Sequence, residues 1–242
     1  MMFLLYKLNY LFIIIIALII INRMKKVTIN FIRHGQTSYN VLGKIQGSSD
    51  IKLTQEGIKQ AYNCKMNKDI EYDIAYSSSL IRAKETLGII CNNFNKKPQV
   101  IINDLIIERG YGIFEGLTEG DISNEYSDIF KNWTEDENTY IEGAETIEDV
   151  IDRIKKFLNL IVLNEFKNVL VVTHSGVLFA LYKYITGAQL GDRPKNVSFP
   201  NCSSNILNIY YNNNTIYELE FNIGEHTYKY SSSPTKSIIS TS

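Results

Sequence analysis

Val27-Thr28-Ile29-Asn30-Phe31-Ile32-Arg33-His34-Gly35-Gln36-Thr37 decides the fold of this 242-residue chain. Residues 27–32 are mostly apolar and β-branched or aromatic, as in a buried strand, and Arg33 and His34 follow without a gap. Open α/β sheets build their sites in the crevice beyond the carboxyl ends of the strands, and this strand delivers its arginine and histidine there. A histidine so placed can attack phosphorus, and the neighbouring arginine offers phosphate oxygens a planar fork of donors.

Outward from this strand, strand-like and helix-like segments alternate. The pattern predicts a helix over 54–67 capped by Thr54, a short strand over 74–77 and a helix over 80–91 with Leu80, Ala83, Leu87 and Ile90 on one stripe. A strand follows at 100–102. A long amphipathic helix carries Ile147, Val150, Ile151, Ile154, Leu158 and Ile161. Residues 169–172 form a continuous apolar run, expected as a central strand, and its exit carries Thr173 and His174. A helix over 177–185 closed by Gly187 and a hairpin of 206–211 with 215–221 around residues 212–214 complete the pattern. The glycine-rich stretch 108–116 reads as a loop, and 117–142 shows no clear period. The fold class expected is α/β, a three-layer sandwich with a mostly parallel central sheet flanked by helices, plus a C-terminal hairpin and a hydrophobic N-terminal helix.

Twenty-five basic and twenty-six acidic residues leave a net charge of -1, so no basic excess points to nucleic acid. Cys64, Cys91 and Cys202 are odd in number and scattered, which fits neither a disulfide framework nor a zinc ribbon and reads as reduced thiols. Residues 1–21 carry only Lys7 and Asn9 as strongly polar groups, about the ~20 residues a spanning helix needs. Arg23, Lys25 and Lys26 follow and favour a cytoplasm-facing catalytic domain. Residues 1–24 are therefore expected to be a hydrophobic segment that tethers the protein to a membrane. The alternative is translation from Met24, which gives a soluble cytoplasmic protein. The catalytic domain is expected over 25–226, and a disordered Ser/Thr-rich tail over 227–242.

Three strand exits carry Arg33 with His34, Arg82 one helical turn beyond, and His174, and parallel strands bring such exits into one crevice. Two arginines and two histidines together read as a phosphate pocket. Six segments in order then carry a resemblance: Arg33-His34-Gly35-Gln36-Thr37 with Asn40; Gln46-Gly47 with Leu53-Thr54 and Gly57; residues 78–86 around Arg82; Glu108 with Gly112, Glu115 and Gly116; residues 143–146 with Arg153; and Val171-Val172-Thr173-His174-Ser175-Gly176. Together they resemble the histidine phosphatase superfamily, the phosphoglycerate mutase-like family, over most of 27–223. Ser175 stands where the family usually has glycine.

The resemblance implies His34 as a covalent nucleophile, with Arg33, Arg82 and a protonated His174 spread over the phosphoryl oxygens. Glu108 is expected to protonate the leaving alkoxide and then activate water. Thr37, Asn40, Gln46 and Ser175 are expected at the rim as phosphate or substrate contacts, while Glu115 is left without a role and His226 is read as a surface histidine. No metal and no other cofactor is expected. The expected partner is a small phosphorylated metabolite, with no nucleic acid, and oligomeric state is left open. Between Gly116 and Gly143 lie only 26 residues, where mutases of the family carry a long insertion, which favours a phosphomonoesterase. The alternatives are a phosphoglycerate mutase and an inactive module that binds a phosphorylated ligand. Trp133 and Tyr140 are expected either to line a lid or to anchor their segment.

Overall fold

A computed structural model describes residues 24–66, 70–136, 139–188 and 197–231. The hydrophobic segment expected over 1–24 lies, except for Met24, outside the described residues. Among the described residues no helix is long and apolar enough to cross a membrane. Strands are β1 (Lys25–Arg33), β2 (Ile74–Ser77), β3 (Gln99–Ile102), β4 (Asn168–Thr173), β5 (Ser204–Asn212), β6 (Thr215–Ile223) and β7 (His226–Ser231). Helices are α1 (Ser38–Leu42), α2 (Gln55–Tyr62), α3 (Ile81–Cys91), α4 (Glu119–Glu125), α5 (Ser127–Glu135), α6 (Ile147–Leu163) and α7 (Ser175–Thr186).

The strands form one seven-stranded sheet in the order β3-β2-β4-β1-β5-β6-β7. β3, β2, β4 and β1 run parallel, whereas β5, β6 and β7 join antiparallel, so the sheet is mixed and its parallel half carries the strand exits. In β4 the side chains alternate between two cores. Val169 and Val171 face α6 and α7, while Leu170 and Val172 face α2 and α3, which makes this central strand apolar on both sides. Helix α6 buries Ile147, Val150, Ile154, Phe157, Leu158, Ile161 and Val162, each a burial worth about 1.5–3 kcal/mol. A Thr146–Asp149 capping box fixes where that helix begins.

Register sets the site. Arg33 of β1 stands opposite Thr173 of β4, so the next residue of each strand, His34 and His174, emerges beside the other. Ser77 of β2 stands opposite Val172, which brings Ser78 to the same edge. The Thr173 hydroxyl donates to Ile106 O at 2.7 Å and pins the loop that follows β3 to the end of β4.

Three expectations change. Residues 227–231, expected in the disordered tail, instead complete β7, paired along β6 from Ile223–His226 to Glu218–Ser231. Tyr228 meets Tyr182 edge to face at 4.9 Å and Lys229 lies between Glu218 and Glu220, interactions that Ser/Thr-rich composition conceals. Residues 232–242 lie outside the described residues. The helix expected over 54–67 stops at Tyr62, where the chain turns in and Cys64 Sγ donates to Cys202 O at 3.3 Å. Within 117–142 the described residues form α4 and α5, beside a small core of Phe114, Ile122, Trp133 and Ile141. The hairpin turn matches its sequence, since Asn213 and Asn214 take left-handed φ of 46° and 61°.

Helix α2 supports the loop after β1 by backbone contact. Thr54 caps Gly57 N at 3.0 Å and also donates to the Gln36 side chain at 2.9 Å. A Cβ at Gly57 would lie 2.1 Å from Gln36 O, and one at Gly35 would lie 2.6 Å from Gly57 O. Backbone cannot swing aside as a side chain can. Gly57→Ala is therefore expected to lower unfolding free energy by about 1–3 kcal/mol in urea titrations, the cost of overpacking, whereas an unchanged midpoint would show that the loop and helix are not locked together.

Candidate active site

His34 is buried, and its Nδ1 lies 2.7 Å from Gly35 O. A carbonyl only accepts, so Nδ1 carries the proton and Nε2 keeps its lone pair. Burial first, then the charges of Arg82 and Arg33, hold the His34 pKa well below the usual imidazole range. The ring is thus kept neutral.

Arg82 is fully buried and shared between three acceptors. Its Nε donates to His174 Nδ1 at 3.2 Å, Nη1 to Ser49 O at 2.6 Å and Nη2 to Gly47 O at 2.8 Å. An arginine Nε only donates, so His174 Nδ1 accepts, and its Nε2 proton goes to Ser78 Oγ at 2.7 Å. Burial and then Arg82 push the His174 pKa well below the usual range. The protonated His174 expected from sequence is corrected here: both ring nitrogens are committed in a neutral ring, 5.1 Å from the ring of His34. Arg33 Nη1 donates to Phe199 O at 2.5 Å, while its Nε is buried with no hydrogen-bond partner. A buried cationic donor without a partner is costly, and an anionic oxygen would satisfy it.

Glu108 faces these charges from the loop after β3. Its Oε1 accepts from Arg109 N at 2.9 Å and from Gly176 N, in the first turn of α7, at 3.1 Å. Burial raises its pKa, while Arg82, the Arg109 amide and Arg33 draw it back only in part. Any Cβ at residue 176 would sit 2.4 Å from Glu108 Oε1, so the backbone approach that sequence reading attached to Ser175 falls on Gly176. The loop is tied from behind: Arg153 grips Glu145 with Nε and Nη2 at 3.0 and 3.1 Å, Glu145 Oε2 accepts Gly110 N, and Glu145 O accepts Arg109 Nε.

Glu115, left without a role by sequence reading, acts on the loop that holds Arg82. Its carboxylate accepts from Ser48 N, the Ser48 hydroxyl and Tyr111 N at 2.9, 2.7 and 3.0 Å, and it packs so close that a Cβ on Gly47 would meet it at 1.9 Å. Gly47 and Ser49 thereby present their carbonyls to the guanidinium. Ser78, quoted from sequence only as the first residue of the segment around Arg82 and given no role there, is the hydroxyl partner of His174.

The remaining expected residues fall near the pocket in different roles. Thr37 is fully buried and spends its hydroxyl on Asn40 N and on Gln46 Oε1, the latter at 2.8 Å, which leaves the Gln46 amide NH₂ for other partners. Asn201 links Asn40 Oδ1 to His34 O. Ser175 and Gly176 line a cavity of about 280 Å³ beside Arg33, together with Arg109, Tyr111, Trp133, Phe179 and residues 197–199. Trp133 both lines that cavity and anchors its segment, whereas Tyr140 is 81% exposed. His226 is exposed on β7, and all three cysteines are buried and form no disulfide among the described residues.

The family model for the histidine phosphatase superfamily (branch 1) matches residues 29–222. A 2,3-bisphosphoglycerate-dependent phosphoglycerate mutase of Rhizobium etli is 32% identical over 173 residues, covering 68% of this chain and 83% of that relative. A protein of Arabidopsis thaliana named "Probable 2-carboxy-D-arabinitol-1-phosphatase" is 34% identical over 153 residues, 62% of this chain but only 31% of that longer relative. Among solved structures, mycobacterial glucosyl-3-phosphoglycerate phosphatase superposes with a TM-score of 0.68 at 25% identity, over 76% of this chain and 91% of that one.

The raised Glu108 pKa has a consequence for stability. A carboxyl whose folded pKa exceeds its unfolded value contributes stability at low pH and loses it as pH rises through the folded pKa. Glu108→Gln cannot ionise. Urea unfolding from about pH 5 to about pH 8 is expected to show the variant gaining on wild type as pH rises, and a constant difference would mean that Glu108 titrates as an ordinary surface carboxylate.

Proposed function

The chain belongs to the histidine phosphatase superfamily, whose members are phosphatases or phosphoglycerate mutase-like phosphoryl transferases, and from that premise we propose a metal-independent phosphomonoesterase acting on a small phosphorylated metabolite through a phosphohistidine. One observation carries this reading: the His34 Nδ1–Gly35 O bond leaves the Nε2 lone pair as the nucleophile of a buried site that two arginines share. His34 Nε2 attacks phosphorus as the ester P–O bond breaks. Arg33 Nε and the uncommitted N–H groups of Arg82 take the phosphoryl oxygens, so the charge of the transition state is balanced by guanidinium groups. His174 acts as a neutral ring that holds Arg82 against Ser78.

The departing alkoxide takes its proton from Glu108, which burial keeps protonated into a higher pH range than a free carboxyl. Glu108 is then the base that draws a proton from water as it attacks the phosphohistidine, releasing inorganic phosphate and restoring neutral His34. Thr37 and Asn40 frame the rim of the pocket through Gln46 and Asn201, with Ser175 at the mouth of the leaving-group side. Transfer to a second hydroxyl is the alternative fate of the phosphoryl group, favoured by the likeness to a mutase. Hydrolysis is preferred because the short segment 117–142 contributes, among its described residues, two short helices.

The full chain is expected to release inorganic phosphate from 4-nitrophenyl phosphate at an unchanged rate in excess chelator. Glu108→Gln should lower kcat/KM, which reports the steps up to release of the alcohol, about 10²- to 10⁴-fold on alkyl phosphates and much less on the nitrophenyl ester, whose leaving group needs no proton. Chelator-sensitive turnover, or equal losses on both esters, would contradict the mechanism. Rearranged phosphoglycerate in place of released phosphate would establish the mutase.

A further inference from the structure

The cavity beside Arg33 carries information about the alcohol half of the substrate, a question that rests on the phosphatase reading above. Its walls combine two features. Tyr111, Trp133, Phe179 and Phe199 are aromatic and Val197 is apolar, while Arg33 and Arg109 bring two guanidinium groups. Tyr111 and Trp133 meet edge to face at 6.4 Å, and Arg109 lies 5.3 Å over the Tyr111 ring. That stacking, with the Arg109 Nε bond to Glu145 O at 2.9 Å, keeps the cation in place on the wall.

The cavity adjoins residues that touch the reacting groups. Arg33 forms one side of it, and its unpartnered Nε is the donor expected to take a phosphoryl oxygen. Ser175 and Gly176 form another side, and the Gly176 amide holds Glu108, the proton donor to the leaving oxygen. A phosphoester bound with its phosphorus at His34 and its bridging oxygen at Glu108 therefore extends its alcohol carbon chain into this space.

We propose that this cavity selects the phosphomonoester of a flat, apolar alcohol, an aromatic one above all, and disfavours an alcohol that bears an ammonium group. Angled aromatic walls reward a planar apolar body through burial and edge-to-face contact. An ammonium placed there meets the fixed positive charges of Arg33 and Arg109 and gives up its hydration. The cation–π attraction that rings otherwise offer such a group is already taken at Tyr111 by Arg109. A carboxylate on the alcohol is compatible with the same two arginines.

Three esters of primary alcohols separate this proposal from leaving-group effects: 2-phenylethyl phosphate, propyl phosphate and O-phosphoethanolamine, assayed with the full chain by phosphate release. Expected kcat/KM falls in that order, with roughly tenfold or more between the first and second, the scale an apolar pocket delivers. Phe179→Ala, at a half-buried position of α7, is expected to shrink the ratio of the first two, and Phe179→Leu to shrink it less. Equal values, or a preference for phosphoethanolamine, would overturn the proposal while leaving phosphatase activity established. No phosphate from any of the three, nor from 4-nitrophenyl phosphate, would overturn the phosphatase reading and this proposal with it.

Discussion

The parallel pairing of β1 with β4 is the constraint on which the site depends. Arg33 stands opposite Thr173, and the two catalytic-type histidines emerge one residue later at adjacent strand ends. A slip of one residue would turn the apolar side chains of β1 onto the wrong faces and separate the histidines together. The core enforces the register, because β4 alternates Val169 and Val171 into one helical layer with Leu170 and Val172 into the other. Packing energy spent on the sheet thereby fixes a distance of 5.1 Å between two imidazole rings.

Burial then decides the chemistry of each group that the register delivers. His34 and His174 are held neutral by desolvation and by the arginines beside them, whereas Glu108 is pushed toward its protonated form by the same desolvation. A neutral imidazole and a carboxyl biased toward its protonated form thus stand beside cationic arginines. Each group is fixed by its backbone partners: Gly35 O fixes the tautomer of His34, and Gly176 N and Arg109 N fix the carboxyl of Glu108. Behind them Glu115 and Glu145 organise backbone. The first seats the carbonyls that grip Arg82, and the second ties down the loop that carries Glu108.

Much of this was legible in the sequence wherever a local pattern had a single physical meaning. The apolar run before Arg33, the central run before His174 and the left-handed asparagines of the hairpin each predicted the element that forms. Legibility failed where the deciding partner is distant in sequence. The protonation of His174 depends on Arg82 and Ser78, the glycine requirement at Gly176 depends on Glu108, and β7 depends on its pairing with β6 and on Tyr182. Segment 117–142 concealed two helices because α4 and α5 are short and bury few side chains each, too few to show a period.

The account stands on His34 Nε2 as a covalent nucleophile, and the most direct measurement is rapid quenching of the full chain during turnover of a ³²P-labelled phosphoester, followed by peptide mapping. Label is predicted on the peptide holding His34, released by acid and stable to alkali, and absent from His34→Ala. Label on another side chain, or steady turnover with no covalent phosphate at any quench time, would contradict it.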